Sequence, residues 1–173
     1  LDHPHGSQPL KELLRSRMTL TIAIDDISIP LPPMQSPDIR QLVLEEVIEL
    51  AARGGVEDVK LYMANSLHRR MTADEIKHAV GERVFRSFYP KDLKNHDAED
   101  PENLAYVGKT DQGEEVEINK RAMESDLLIY VNINLVAMDG GHKSVPVGLA
   151  SYRSVKHHHN VHTMLHSKSY MDP

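Results

Sequence analysis

Three apolar runs along the chain have the composition of β-strands. They cover residues 18–25, 56–64 and 127–134. The third run, LLIYVNIN, is apolar enough to predict a strongly buried strand. Each strand is followed by a polar loop.

Helical spacing of apolar residues separates the first two strands. Ser36 is predicted as an N-cap before Pro37 and Asp38, and Gly54-Gly55 as the end of that helix. Its predicted apolar face consists of Ile39, Leu42, Val43, Val47 and Leu50. A capping box from Thr72 to Glu75 begins a second helix, which we expect to end at Gly81.

The second half of the chain is more mixed. Residues 90–103 are polar and are predicted as a loop, whereas 105–108 and 115–118 flank a turn at 110–113 and predict a hairpin. A short helix is expected at 120–124. Because strands alternate with helices, we expect an α/β fold, a Rossmann-like layered domain with a mostly parallel sheet and flanking helices.

Composition and charge exclude several classes of function. The chain of 173 residues has a formal net charge of -6, which disfavours binding to nucleic acid or to an anionic membrane surface. It contains no Cys, so thiolate metal sites and disulfides are excluded. No apolar run approaches the roughly 20 residues that span a bilayer, so we expect a cytoplasmic protein.

Polar groups at the predicted strand ends are the candidate chemistry, because ligands of parallel sheets bind at the carboxyl ends of the strands. Asp25-Asp26 closes the first strand and could bind a hydroxyl or a metal, or simply be solvated. His68, beside Arg69 in the next strand-to-helix loop, could act as a general acid or base, or be a surface histidine.

A glycine pair follows the third strand. Gly140 and Gly141 let the backbone approach a ligand closely, and Lys143 could contact phosphate or act as a nucleophile. The spacing is not that of a P-loop, and a plain tight turn is the alternative.

Histidines crowd near the end of the sequence. The spacing of His159, His162 and His166 places three imidazoles on one helical face, which suits zinc or nickel. A solvated polar helix face is the alternative.

Taken in order, these stretches resemble the lactate racemase family over nearly the whole chain. The matching segments include Asp2-His3-Pro4, Asp25-Asp26, Leu67-His68-Arg69, Asn95-His96-Asp97, Ser125-Asp126-Leu127, Gly140-Gly141 with Lys143, and His159.

The resemblance implies a nickel-pincer nucleotide as cofactor. In the family, a lysine of the Gly-Gly-x-Lys motif tethers the nucleotide covalently, which corresponds to Lys143. A histidine 16 residues further on completes the nickel coordination, which corresponds to His159. The second acid of the Asp-Asp motif, Asp26, would lie near the cofactor. We place Asp25, Gly140 and Gly141 in the same cofactor-binding group.

The resemblance also implies an isomerase, a racemase or epimerase of a 2-hydroxy acid. His68 would take the proton from the substrate hydroxyl, while the Cα hydride moves reversibly to the pincer nucleotide.

Two departures from the family pattern bear on the substrate. Ile29 stands where members carry an arginine that grips the substrate carboxylate, and the segment 132–139 lacks a second catalytic histidine. Asp139 or His142 could fill the opposite-face role.

The resemblance assigns residues 1–173 to an N-terminal cofactor-binding domain. The C-terminal domain that closes over the family's site is expected as a partner, together with cofactor-biosynthesis proteins. The alternatives are a non-catalytic nickel- or nucleotide-binding domain and an oxidoreductase-type variant acting on 2-hydroxy acids.

Overall fold

Four parallel strands form the central sheet of the computed structural model, which describes residues 1–27, 36–133 and 144–166. The strand order is β3-β2-β1-β6. A separate antiparallel hairpin is formed by β4 and β5. The strands are β1 Thr19–Asp25, β2 Asp58–Ala64, β3 Leu93–Asn95, β4 Leu104–Lys109, β5 Glu115–Asn119 and β6 Leu127–Val131.

Helices cover both faces of the sheet, which confirms the predicted α/β fold with a mostly parallel sheet. They are α1 Leu10–Leu13, α2 Ile39–Arg53, α3 Ala73–Phe88, α4 Lys120–Glu124, α5 Ser144–Gly148, α6 Tyr152–His158 and α7 Val161–His166, with a 3-10 turn at Pro101–Asn103. Within the described residues, no helix is long and apolar enough to cross a membrane.

The two faces of the sheet bury different side chains, because successive residues of a strand point to opposite sides. One row, with Ile22 and Leu61, packs against α2 and α3 in a large aliphatic core. The other row, with Ala23 and Ala64, joins Ala122 and Leu149 in a small cluster that α4 and α5 cover.

Several local sequence signals are confirmed. Glu75 N–H donates to the Thr72 hydroxyl, and Thr72 N–H donates back to the Glu75 carboxylate, so the capping box is complete. Gly54 ends α2, as predicted. The hairpin and the helix Lys120–Glu124 also form where the sequence indicated.

Two predictions on α2 and α3 are wrong in detail. The N-cap of α2 is Asp38 rather than Ser36, since the Asp38 carboxylate accepts from Arg40 N–H. Gly81, with a φ of 82°, interrupts α3, but the helix resumes and runs on to Phe88. Gly81 tolerates this backbone because it lacks a side chain.

Two strand predictions are also wrong. The predicted loop 90–103 contains β3, a three-residue strand whose sequence is too short to show alternation and whose order comes from pairing with β2. β6 is only partly buried over most of its length, because it lies at the edge of the sheet beside β1.

Candidate active site

The strand order changes direction at β1, so parallel-sheet geometry predicts a ligand-binding crevice outside the carboxyl ends of β1 and β6. The chain passes from β1 to β2 and β3 on one side, whereas β6 lies on the other side. In open parallel sheets, ligands bind at such a point, outside the carboxyl ends of the strands. Asp25 and Asp26 stand at this position, and both are buried.

Asp26 and His68 meet across the ends of β1 and β2. His68 Nδ1 lies 3.0 Å from Asp26 Oδ2. The Asp26 side chain is 5% exposed, whereas the His68 side chain is 52% exposed. Asn65 holds the turn, because its carbonyl accepts from His68 N–H at 2.7 Å. The structure therefore brings together two of the residues that the sequence singled out.

Asp25 is engaged by the protein's own donors. Its Oδ2 accepts from Ile133 N–H at 2.7 Å, and the Tyr130 hydroxyl donates to the same carboxylate. Burial raises the pKa of Asp25, although these hydrogen bonds oppose the rise. Burial and the neighbouring Asp25 charge also raise the pKa of Tyr130. A contact with the cofactor remains a prediction for Asp25.

Arg40 is a site residue that the sequence analysis missed. Its guanidinium donates to the carbonyl of Asp25 at 2.9 Å, to that of Asp26 at 3.3 Å, and to both carboxylate oxygens of Asp38. Burial raises the pKa of Asp38, but the hydrogen bonds from Arg40 outweigh it and leave that pKa lowered. Arg40 thus fixes the backbone at the end of β1.

The buried face of α2 differs from the predicted stripe. Arg40, Leu44, Val47 and Ala51 are buried, whereas Ile39 and Leu42 are about half exposed. The sequence could have indicated that Arg40 is buried. Position 40 lies four and seven residues before Leu44 and Val47, and therefore on their helical face. The ion pair with Asp38 allows a charged side chain to occupy that face.

The two arginines beside His68 both have carboxylate partners. Arg69 donates to both oxygens of Glu75, at 2.7 and 2.8 Å, and this pairing lowers the pKa of Glu75 to about 2. Arg70 pairs with Asp97. The possibility that Arg69 holds an anion therefore competes with its bond to Glu75.

An orphaned acceptor lies beside the His68 turn. Asn65 is 2% exposed, and its Oδ1 is buried without a hydrogen-bond partner among the described residues. Such groups are uncommon in folded proteins, and a bound molecule or ion is one of the explanations for them. Asn65 was missed because no sequence pattern shows an unpaired amide oxygen.

Several predicted site residues lie outside the described residues: Gly140, Gly141, Lys143, Ile29, Asp139 and His142. The flanking residues are described. Ile133 is bonded to Asp25, and α5 begins at Ser144 and ends at Gly148, whose carbonyl accepts from Ser66 N–H at 3.0 Å. Both flanks of 134–143 therefore lie at the carboxyl edge of the sheet.

The histidine-rich segment forms two helices instead of one, so the predicted single face is wrong. Asn160 separates them, because its amide donates to the carbonyls of Lys156 and His157 while its oxygen accepts from Thr163 N–H. The asparagine at position 160 could have indicated this break in the sequence, because asparagine favours helix ends.

His159 ends up exposed after the last turn of α6. Its Nδ1 lies 2.8 Å from that of His158, whereas the His162 and His166 rings stack on α7. Among the described side chains, no group of three or more His, Cys, Asp or Glu is placed to hold a metal.

Comparison with known proteins supports the same relationship. A family model described as the lactate racemase N-terminal domain matches residues 1–172. The lactate racemase of Lactiplantibacillus plantarum is 29% identical over 164 residues, which is 92% of this chain and 37% of the relative. That of Thermoanaerobacterium thermosaccharolyticum is 29% identical over 163 residues, which is 92% of this chain and 36% of the relative.

Comparison with solved structures gives the same relationship. The lactate racemase apoprotein from Thermoanaerobacterium thermosaccharolyticum superimposes with a TM-score of 0.71 at 26% identity, over 90% of this chain and 36% of that one. The chain thus spans little more than a third of the length of the proteins it resembles.

Proposed function

Because this chain belongs to the lactate racemase N-terminal domain family, we propose that it is the cofactor-binding part of a racemase or epimerase of a 2-hydroxy acid. The remaining length of the relatives leaves room for a second domain that completes the enzyme. The substrate, the cofactor and the partner domain are all part of this proposal.

The observation that carries the proposal is the pair formed by Asp26 and His68. A buried carboxylate beside Nδ1 orients the imidazole and favours the tautomer that carries its proton on Nδ1. Nε2 is then the nitrogen that takes the proton from the substrate hydroxyl. The ring is half exposed, so a small molecule can reach it.

The described residues fit a bound nucleotide. The crevice lies at the switch point of a parallel sheet, and Asn65 Oδ1 offers a buried acceptor that needs a donor. The residues that would hold the nickel-pincer nucleotide are Lys143 as the covalent tether, Gly140 and Gly141 for close approach, and Asp26 beside it. His159 would bind the nickel. When bound, this group supplies a carbon that accepts and returns a hydride.

A single histidine is a sufficient protein ligand for this cofactor. The nucleotide would supply the other donor atoms, so the protein would need to provide only one ligand. A cluster of three or more protein ligands, as a simple zinc site requires, is therefore not needed here. The exposed position of His159 leaves its ring accessible.

The chain's own residues then have separate tasks. His68 holds and returns the hydroxyl proton, and Asp26 keeps the ring oriented. The charge of Arg69 is already matched by Glu75. Since Ile29 also replaces the family's carboxylate-gripping arginine, we propose a substrate larger than lactate, such as a sugar acid, with additional hydroxyl groups to anchor it.

The first experiment is an intact mass measurement. The full-length protein is isolated from a host that makes the pincer nucleotide, with Lys143→Ala as the matched control. We expect a mass increment on the wild type that the variant lacks. The loaded protein is then incubated in deuterated water with a panel of single-enantiomer 2-hydroxy acids, and the second enantiomer is measured by chiral chromatography.

The outcomes separate the competing functions. Interconversion of enantiomers without net oxidation supports the isomerase. Accumulation of a 2-keto acid would instead indicate an oxidoreductase-type variant. A loaded protein that converts no member of the panel would favour a non-catalytic nucleotide-binding domain. An unmodified wild type, in a host where a lactate racemase is loaded, would contradict the covalent cofactor.

A further inference from the structure

Asp25 joins the carboxyl ends of two neighbouring strands. It is the last residue of β1, it accepts from Ile133 N–H just after β6, and it accepts from the Tyr130 hydroxyl within β6. The carboxylate thus links the end of β1 to β6 and to the chain that follows β6.

Tyr130 extends this bridge to α5. A Cβ atom built on Gly148 would lie 2.2 Å from the Tyr130 hydroxyl and 2.9 Å from Ala64 Cβ, so only glycine allows α5 to approach this closely. The Gly148 carbonyl also accepts from Ser66 N–H. The end of α5 therefore packs directly against Tyr130, whose hydroxyl is bonded to Asp25.

The two anchored points flank the same stretch of chain. Ile133 precedes residues 134–143, and α5 follows them. We infer that Asp25 and Tyr130 are positioning residues, which form a buried latch that fixes both ends of the segment carrying the tethering lysine. The inference rests on the proposed function for Lys143, but the latch itself consists of described residues only.

A purely structural contact would not need these groups. Burying a carboxylate is unfavourable unless its hydrogen bonds compensate, and the raised pKa of Asp25 reflects that cost. The neighbouring positions of the same sheet face are Ala23 and Ala64, which belong to an apolar cluster. A charged latch at this point therefore has a directional task, to orient the Ile133 N–H and the Tyr130 hydroxyl.

Tyr130→Phe is the test, and Tyr62→Phe is its matched control. Both tyrosines lie in register with Ala23, on either side of it, and each hydroxyl makes a side-chain hydrogen bond, Tyr62 with Asn119 and Tyr130 with Asp25. Tyr130 is part of the latch, whereas the Tyr62 hydroxyl is bonded to Asn119. The fraction of protein that carries the mass increment is followed over time in the full-length protein, and turnover is measured per modified molecule.

We expect Tyr130→Phe to load about tenfold more slowly than Tyr62→Phe, because a hydrogen bond to a charged group is lost. Asp25→Asn should behave like Tyr130→Phe. Equal loading rates and equal turnover in all three variants would overturn the latch. If one variant fails to fold, the other is still compared with Tyr62→Phe.

Hydrogen–deuterium exchange gives a readout that needs no cofactor. In the same full-length protein, Tyr130→Phe should exchange faster than Tyr62→Phe at the Ile133 amide and in residues 144–148. If the wild type never acquires a mass increment, the proposed function fails, and this exchange measurement alone decides the latch. Unchanged exchange at both places would overturn it.

Discussion

The two faces of the central sheet differ in how they are filled. On one face, long helices α2 and α3 cover large aliphatic side chains such as Ile22 and Leu61. On the other, the five-residue helices α4 and α5 lie over alanines and two tyrosines. The first face stabilises the fold by burying apolar area, whereas the second leaves room for short segments to approach the strands closely.

The same contrast separates the two adjacent aspartates. Asp25 belongs to the row of Ala23 and contacts Tyr130, while Asp26, one residue later, lies beside His68. Strand alternation sends neighbouring carboxylates to opposite sides. A pair that looks like one motif in the sequence therefore has two separate sets of contacts, and we propose a chemical role for Asp26 and a positioning role for Asp25.

The largest expected effect concerns the buried ion pair between Arg40 and Asp38 at the start of α2. Arg40→Ala leaves Asp38 buried without its partner and frees the carbonyls at the end of β1. We expect the free energy of unfolding to fall by about 3 to 5 kcal/mol, measured by urea denaturation. Arg53→Ala, which breaks the exposed pair with Glu49, should cost less than about 1 kcal/mol. Equal losses in the two variants would contradict the expectation that the buried ion pair contributes more stability than the exposed one.

The aliphatic face should also be more sensitive to truncation. Leu61→Ala removes a fully buried side chain and should lower the free energy of unfolding by about 3 kcal/mol. Leu128→Ala, on the opposite face, removes a partly buried one and should lower it by about 1 kcal/mol. Denaturation of both variants under one set of conditions tests the order, and a larger loss for Leu128→Ala would reverse it.

The two aspartates should be separable in the loaded enzyme. Asp26→Asn disturbs the orientation of His68, so we expect kcat per modified molecule to fall by about 100-fold. Asp25→Asn should instead slow loading and leave kcat per modified molecule within a few-fold of the wild type. The loading rate is followed through the mass increment, and kcat is measured by steady-state kinetics normalised to that increment. Identical defects in the two variants would contradict separate roles for the two aspartates.

The smallest effect is a dependence on pH. The folded-state pKa of Asp25 lies above its ordinary value of 3.8 because of burial. The folded protein therefore binds this proton more tightly than the unfolded chain, and the stability it contributes is lost as the pH rises from about 4 through the folded-state pKa. The difference in unfolding free energy between wild type and Asp25→Asn should shrink between pH 4 and pH 7. A difference that grows over this range would show the opposite sign.

Local signals predicted much of the fold. The capping box at Thr72, the end of α2 at Gly54 and the helix Lys120–Glu124 depend on residues close in the sequence. β3 and the edge position of β6 depend on pairing with distant strands, so periodicity alone could not indicate them.

The candidate site divides in the same way. The rule that ligands bind at strand ends was enough to group Asp26 with His68, although 42 positions separate them. Arg40 and Tyr130 were missed because their importance comes from contacts with β1, 15 and 105 positions away for Arg40–Asp25 and Tyr130–Asp25 respectively. The break at Asn160 was predictable from its type but was outweighed by the regular spacing of the histidines.

Glu75 has a consequence for any attempt to change the specificity of the proposed racemase. One carboxylate both closes the capping box of α3 and binds Arg69, the residue next to His68. In a combinatorial library that varies the His68 loop, a substitution at position 75 would affect the start of α3 and the ion pair with Arg69 at the same time. Variants that alter it change a helix start and the local charge together, so a screen for activity would score a folding defect as a loss of substrate preference. Keeping Glu75 constant separates the two.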